Sequence, residues 1–332
     1  MALRIGPYPG PFAAQDGLTT LMVDLAASLV AEAGKHHLAL AELQIDFDCA
    51  DSKLSGYRLW VEAIRRKVAP VPVTLTALPS WLSRREFEGL AAASDGFVLQ
   101  VHSLAWPTGT DAPFSLCDPA AARRAVERAA RLGMPFRVAL PTYGYVMAFD
   151  REGRPVGISA EGLSVAWPRE VRRLDVHADP AAMAALVRAW TADRPASLQG
   201  IVWYRLPTSE DRLNWQWPTL ATVMAGRAPR GALQAEARRP QPGLVEIDLV
   251  NAGNADRPLQ VVVSLRWREA RLVAGDALQG FEWIDAGPTE VRLHPTTNLA
   301  LVRLGPGQRR MIGWLRLSEN AEVKVDVSPA NP

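Results

Sequence analysis

Residues 42–51 read Glu-Leu-Gln-Ile-Asp-Phe-Asp-Cys-Ala-Asp, and the order of polar and apolar side chains in this stretch decides the fold. Gln44, Asp46 and Asp48 alternate with Leu43, Ile45 and Phe47. Alternate residues of a strand share one face. A helix-covered open parallel sheet usually reads as a continuous apolar run, so a polar row inside one of its strands is out of place. A barrel accommodates the row, because polar side chains can line its interior and its mouth. Thr74 with Thr76, and Gln100 with His102, repeat the pattern.

Working outward, strands are expected at 3–6, 41–48, 72–78, 96–102, 136–141 and 199–206. Amphipathic segments at 17–33, 57–67, 84–93, 119–132 and 180–192 separate them. Strand and helix alternating about every 30 residues means βα units and a parallel sheet. Asp118-Pro119 and Asp179-Pro180 are helix starts, an acidic cap followed by proline at the first helical position. Gly133 sits where a helix terminator belongs. Segment 119–132 gathers Ala121, Ala125, Val126, Ala129 and Leu132 on one stripe, with Arg123, Arg124, Glu127, Arg128 and Arg131 largely opposite. The first strand runs into Gly6-Pro-Tyr-Pro-Gly-Pro11, which makes no phosphate cradle, and no G-x-x-x-x-G-K-[ST] exists. The expected fold is therefore α/β, a TIM-like (β/α)8 barrel over residues 1–226. Six strands are clear where a full barrel needs eight, which makes it incomplete on this count. Residues 143–167 could add a hairpin, with strands 145–149 and 155–158 around Asp150-Arg-Glu-Gly153, and a strand could precede Met1.

A connector rich in Pro, Gly and Arg at 226–243 leads to strand-like text at 244–251, 259–267, 290–293, 299–304, 311–317 and 321–327. This predicts a small all-β sandwich over residues 232–332. It reads either as a packing module or as a carbohydrate-binding surface with Trp267 and Trp283 as stacking planes.

Composition narrows the function. Of 332 residues, 48% are hydrophobic and 22% charged, as in a soluble globular chain. Lys+Arg 37 against Asp+Glu 35 is too balanced for a nucleic-acid footprint. No uninterrupted apolar stretch approaches the roughly 18–20 residues of a membrane span. No long apolar run follows Met1–Arg4 to make a signal peptide. Two cysteines and five scattered histidines give no metal-ligand spacing, so neither metal nor other cofactor is expected.

If strand 41–48 runs toward the barrel mouth, Asp48 lies where barrel active sites occur, with Asp46 one layer deeper and Gln44 below it. Two carboxylates in a low-dielectric interior repel unless a cation intervenes, and Arg4 and Arg137 are the candidate counter-ions. The plain alternative makes Asp46 a buried charge paired with arginine and doing no chemistry. Other strand ends carry Trp81; Gln100, His102 and Trp106; Tyr143 and Tyr145; and Trp203, Tyr204 and Arg205. Glu210, Asp211, Trp215 and Trp217 follow in a loop. Flat aromatics beside hydrogen-bonding groups are what a sugar cleft needs, although each aromatic alone is more often core. The expected partner is a polysaccharide or oligosaccharide.

Leu43–Asp51, with Tyr57-Arg-Leu-Trp60, Leu75-Thr-Ala-Leu-Pro-Ser-Trp-Leu82 and Val98-Leu-Gln-Val-His102, resembles a bacterial domain-of-unknown-function family of TIM-barrel proteins that are often exported. A more distant similarity links the same strand to the family-18 chitinase motif Asp-x-x-Asp-x-Asp-x-Glu. Asp46 and Asp48 fall on its second and third acids, Leu43 replaces the first, and Ala50 stands where the catalytic Glu would be. Export implies a periplasmic or extracellular setting and admits a Cys49–Cys117 disulfide, the alternative being two free thiols. Three readings follow. A glycoside-hydrolase-like barrel would use Asp48 as base, nucleophile or charge stabiliser, with Asp46 tuning it and Glu210 or Asp211 as proton donor. A non-catalytic glycan-binding barrel of an envelope or exopolysaccharide system would need no donor. A divalent-cation site would draw on Asp46, Asp48 and Asp51.

Overall fold

A computed structural model of the chain describes residues 1–103, 114–160, 167, 170–208, 210–299 and 302–330. The chain forms two compact units, one of Met1–Thr142, Gly153–Pro155 and Arg188–Arg205, the other of Tyr143–Glu152, Val156–Val187 and Leu206–Pro332.

The first unit is built on Ala2–Ile5 (β1), Leu43–Phe47 (β2), Val73–Ala77 (β3), Phe97–Gln100 (β4) and Phe136–Pro141 (β5). Gly144–Phe149 (β6), Pro155–Ser159 (β7) and Arg172–His177 (β8) interrupt the series before Leu198–Tyr204 (β9) completes it. The helices are Gly17–Lys35 (α1), Leu54–Val68 (α2), Arg85–Ala92 (α3), Pro119–Ala130 (α4), Pro180–Ala192 (α5) and Trp217–Met224 (α6). The expected caps are present, with Asp118 accepting from the Ala121 amide and Asp16 from the Thr19 amide.

Six parallel strands pair in the order β1-β2-β3-β4-β5-β9. Among the described residues β1 and β9 do not pair with each other, so this barrel-like sheet is open and short of eight strands. The predicted hairpin exists but joins a separate sheet, β7-β6-β8. Leu43, Ile45 and Phe47 are buried on the helix side of β2. There Phe47 packs edge-on to Tyr57, centroids 5.1 Å apart, and the Tyr57 hydroxyl donates to the Ile45 carbonyl.

Gln44 and Asp46 take the opposite, inner face. The register sets Arg4 beside Asp46, Gln44 beside Thr74, Val98 beside Thr76 and Arg137, and Gln100 beside Ala139. Arg137 on β5 bonds Glu42, the residue just before β2. Their side chains therefore meet across the inner face, over the intervening β3 and β4.

By length and composition α1 is long and apolar enough to cross a membrane, although charged residues interrupt it, so the expectation of no uninterrupted apolar stretch of that length stands. Asp24 and Glu32 lie within it. In the fold, the Trp60 indole of α2 donates to its Thr19 hydroxyl at 2.8 Å.

In the second unit Leu233–Gln241 (β10), Leu244–Asn251 (β11), Arg257–Pro258 (β12), Val261–Trp267 (β13), Leu272–Ala277 (β14), Phe281–Gly287 (β15), Glu290–Pro295 (β16), Arg303–Leu304 (β17), Arg309–Leu317 (β18) and Val323–Pro329 (β19) follow α6. The sheets β10-β11-β18-β14 and β15-β16-β13-β19 share a core that includes Ile247, Leu249, Val263, Leu265, Leu293 and Leu315. The strand expected at 299–304 is instead a short 3-10 turn, Thr297–Leu299, then β17, with 300–301 outside the described residues. Trp267 belongs to the core at 3% exposure and offers no stacking plane, while Trp283 is partly buried and donates to Asp285.

Candidate functional site

The inner face of β2 rises toward a small cavity of about 290 Å³ at the strand ends. Its lining is Asp48, Leu78, Pro79, Ser80, Gln100 and Ser103, all in the first unit. The strand period places Asp48 above Asp46 and Gln44. The intervening cation is Arg4, whose guanidinium nitrogens lie 2.8 Å from Asp46 Oδ2 and 2.7 Å from Asp48 Oδ2. Partial burial works against the charge of Arg4, but hydrogen bonds and charge from Asp46 and Asp48 outweigh it and raise its pKa. Arg137, the other candidate counter-ion, is taken by Glu42 instead. Below, the Gln44 amide donates to the Thr76 hydroxyl at 2.9 Å.

Gln100 closes the opposite wall and donates to the His102 carbonyl at 3.2 Å. His102 is 3% exposed, and its ring stacks on Tyr204, centroids 5.6 Å apart at 18°. Burial pushes its pKa down to about 4, so the ring is uncharged at neutral pH. Tyr204 is 54% exposed and presents an aromatic plane at the end of β9. Trp203 and Arg205 flank it, half-buried, and the Thr142 hydroxyl donates to the Arg205 carbonyl.

Two of the expected sugar-stacking tryptophans are core. Trp81 is fully buried in the 3-10 turn Trp81–Ser83, against Tyr57 and Phe87. Trp215 is 4% exposed, and its indole donates to the Ala178 carbonyl at 2.9 Å in the second unit. Tyr143 is buried and Tyr145 half-buried there, ring centroids 5.1 Å apart. Glu210 is exposed in the same unit. Trp106 lies outside the described residues.

The cavity also contains Ser80 and Ser103, which the strand pattern did not single out. A signal for Ser80 was its position just past the Leu75–Pro79 run, at a strand's C-terminal end, where barrel sites collect their residues. Ser103 adopts a left-handed backbone, φ 56°, which no sequence pattern announced.

Cys49 and Cys117 are free and buried, so the disulfide alternative gives way to two thiols. Burial pushes them up to about 11 and about 12, so both stay protonated and neither is a nucleophile at neutral pH. Asp51 is held by Arg84 and accepts from the Ser80 hydroxyl, and no group of three His, Cys, Asp or Glu able to hold a metal occurs among the described residues. The cation-site reading loses its third ligand.

The family model described as Domain of unknown function (DUF3142) matches residues 12–209, more than half of the chain. The chain belongs to this family. A second model, Domain of unknown function (DUF8456), matches residues 234–318. No curated protein matches the chain in sequence.

Several solved structures align with it distantly. A chitinase from Chromobacterium violaceum aligns with TM-score 0.47 and 14% identity, over 68% of this chain and 78% of that one. The Bacillus cereus spore cortex-lytic enzyme SleL aligns with TM-score 0.46 and 13% identity over 68% of this chain. The present chain spans 59% of SleL. A family GH18 chitinase from C. violaceum gives TM-score 0.38 and 12% identity, over 93% of this chain and 71% of that one.

Proposed function

We propose that the first unit binds a glycan at the Asp48 cavity without hydrolysing it. Sugar hydroxyls both donate and accept hydrogen bonds, and the cavity offers a carboxylate, a carboxamide and two serine hydroxyls for them. The exposed Tyr204 plane, next to Gln100 through His102, suits the apolar face of a sugar ring. In this reading the protein is an accessory of an exported or envelope polysaccharide system, the setting the family resemblance implies.

The observation that carries the non-hydrolytic reading is the carboxylate count. Glycosidases pair two carboxyl groups, about 5–5.5 Å apart for retention or 6.5–9.5 Å for inversion, one of them protonated. Among the described residues the cavity lining contains a single carboxylate, Asp48, and Arg4 already engages it. The position of the chitinase proton donor holds Ala50, and His102 carries no proton to give as an imidazolium at neutral pH. Asp46 is spent on the same guanidinium.

The test is incubation with a panel of soluble plant and bacterial polysaccharides, reading both reducing ends and binding for wild type, Asp48→Asn and Glu210→Gln. Binding without product release is expected. Asp48→Asn should weaken it roughly 10- to 100-fold, the worth of a hydrogen bond to a charged group. Reducing ends released by wild type and lost in Asp48→Asn and Glu210→Gln would establish the hydrolase with Glu210 as its acid.

A further inference from the structure

We propose that the C-terminal sandwich carries a second ligand site, a preformed polar groove that takes a neutral polyhydroxylated ligand such as a polysaccharide chain. It does not rest on the Asp48 reading. The groove, about 580 Å³, opens at the end of the sandwich where β13 leaves Trp267 and β19 begins. Arg268 and Glu269 form one wall, Glu319, Asn320 and Glu322 the other, and Lys324 closes it on β19.

The two walls are held at fixed spacing. The Ser318 amide donates to the Arg271 carbonyl at 2.9 Å, and the Arg271 amide donates to the Ser318 hydroxyl at 3.0 Å. The Trp267 indole anchors the first loop through the Ala270 carbonyl, and Arg239 anchors the second through the Ala321 carbonyl. This bracing fixes the backbone of both walls, so the ordering a ligand imposes is confined to the exposed side chains that meet it.

Its chemistry selects the ligand class. Arg266 is committed to Glu290 and Asp326. The side chains of Arg268, Glu269, Glu319, Glu322 and Lys324 have no ion-pair partner among the described residues. Three carboxylates oppose a phosphate or sulfate, two cations oppose a metal ion, and charged walls oppose an apolar guest. What remains is a ligand that accepts from guanidinium, ammonium and amide N–H groups while donating to carboxylates. Neighbouring sugar hydroxyls do both at once. Because Trp267 is in the core, recognition is by hydrogen bonding and not by ring stacking.

The experiment is affinity electrophoresis of the full chain in native gels containing galactomannan, xyloglucan or hydroxyethyl cellulose, with polygalacturonate as the acidic control. It is run in an Asp48→Asn/Gln100→Ala background, so that the first-unit cavity is silenced, and unchanged thermal melts certify the fold. Retardation by at least one neutral polymer is expected to persist in that background. It should fall at least severalfold when Arg268→Ala, Glu319→Ala and Glu322→Ala are added. Retardation lost already in the background would assign all binding to the Asp48 cavity and overturn the groove. Retardation that survives all five substitutions, occurs with polygalacturonate alone, or never occurs would overturn it equally.

Discussion

His102 lies just past β4 with its ring buried and stacked on Tyr204, and this placement has a measurable consequence. Its pKa is lowered from 6.5 to about 4 by burial. Between those values the unfolded chain binds a proton that the folded chain excludes. The stabilisation is therefore complete above pH 6.5 and is lost as pH falls toward 4, by on the order of 3 kcal/mol in all. Denaturant melts from pH 7.5 to 4.5 should show a steeper loss for wild type than for His102→Phe, which keeps the ring stack but cannot titrate. Parallel profiles would contradict the assignment. At this scale the alternation of Gln44, Asp46 and Asp48, and the need of the two carboxylates for a counter-ion, could be read from sequence, because strand period and charge repulsion are local rules, but the choice of Arg4 over Arg137 could not. The fates of Trp81 and Trp215 could not. An aromatic just past a strand looks the same whether the chain turns it inward, as the 3-10 turn does for Trp81, or leaves it exposed, as at Tyr204.

Elements with a strong period and a cap were recovered nearly to their ends. The helix starts at Pro119 and Pro180 and the strand Phe136–Pro141 are where the sequence places them. Strand β8 was missed because Arg172, Arg173, Asp175 and His177 suppress its apolar signal, and β10 because Arg238, Arg239 and Pro240 blend into the connector. Two packing details make predictions. A Cβ at Gly56, inside α2, would come 2.6 Å from the Phe12 ring, which itself packs on Trp60 at 4.7 Å. Helix propensity favours Gly56→Ala by about 1 kcal/mol, whereas overpacking costs about 1–3 kcal/mol. Gly56→Ala should be net destabilising in wild type and stabilising in a Phe12→Ala background. The same sign in both backgrounds in a double-mutant cycle would refute the contact. In the sandwich, Asp248 is 1% exposed and bridges Arg238 and Arg309. Asp248→Ala should cost about 1–3 kcal/mol in chemical denaturation for the charged hydrogen bonds lost, and no more, because the half-exposed arginines it leaves regain water. A loss below a few tenths would mean the bridge is dispensable.

At the scale of the molecule, the order of βα units followed by antiparallel strands was legible because each architecture has its own period. Barrel closure was not, since it depends on which strands pair at the edges and local sequence does not encode that. Nor was the state of the two cysteines. Cys49 and Cys117 are buried at 3% and 4% exposure with raised pKa values, so native protein should resist alkylation, and reductant should leave the Tm unchanged. Rapid labelling of either thiol in the folded state would contradict this.

The proposed function depends on a polar inner wall ending in a glycan-binding cavity. Hydrogen–deuterium exchange with a polysaccharide that the protein retains tests this most directly. Added protection is expected in 44–52, 76–80 and 97–103, and it should disappear in Asp48→Asn/Gln100→Ala. Unchanged exchange in all three segments, with the polymer demonstrably bound, would place its binding elsewhere and contradict the proposed site.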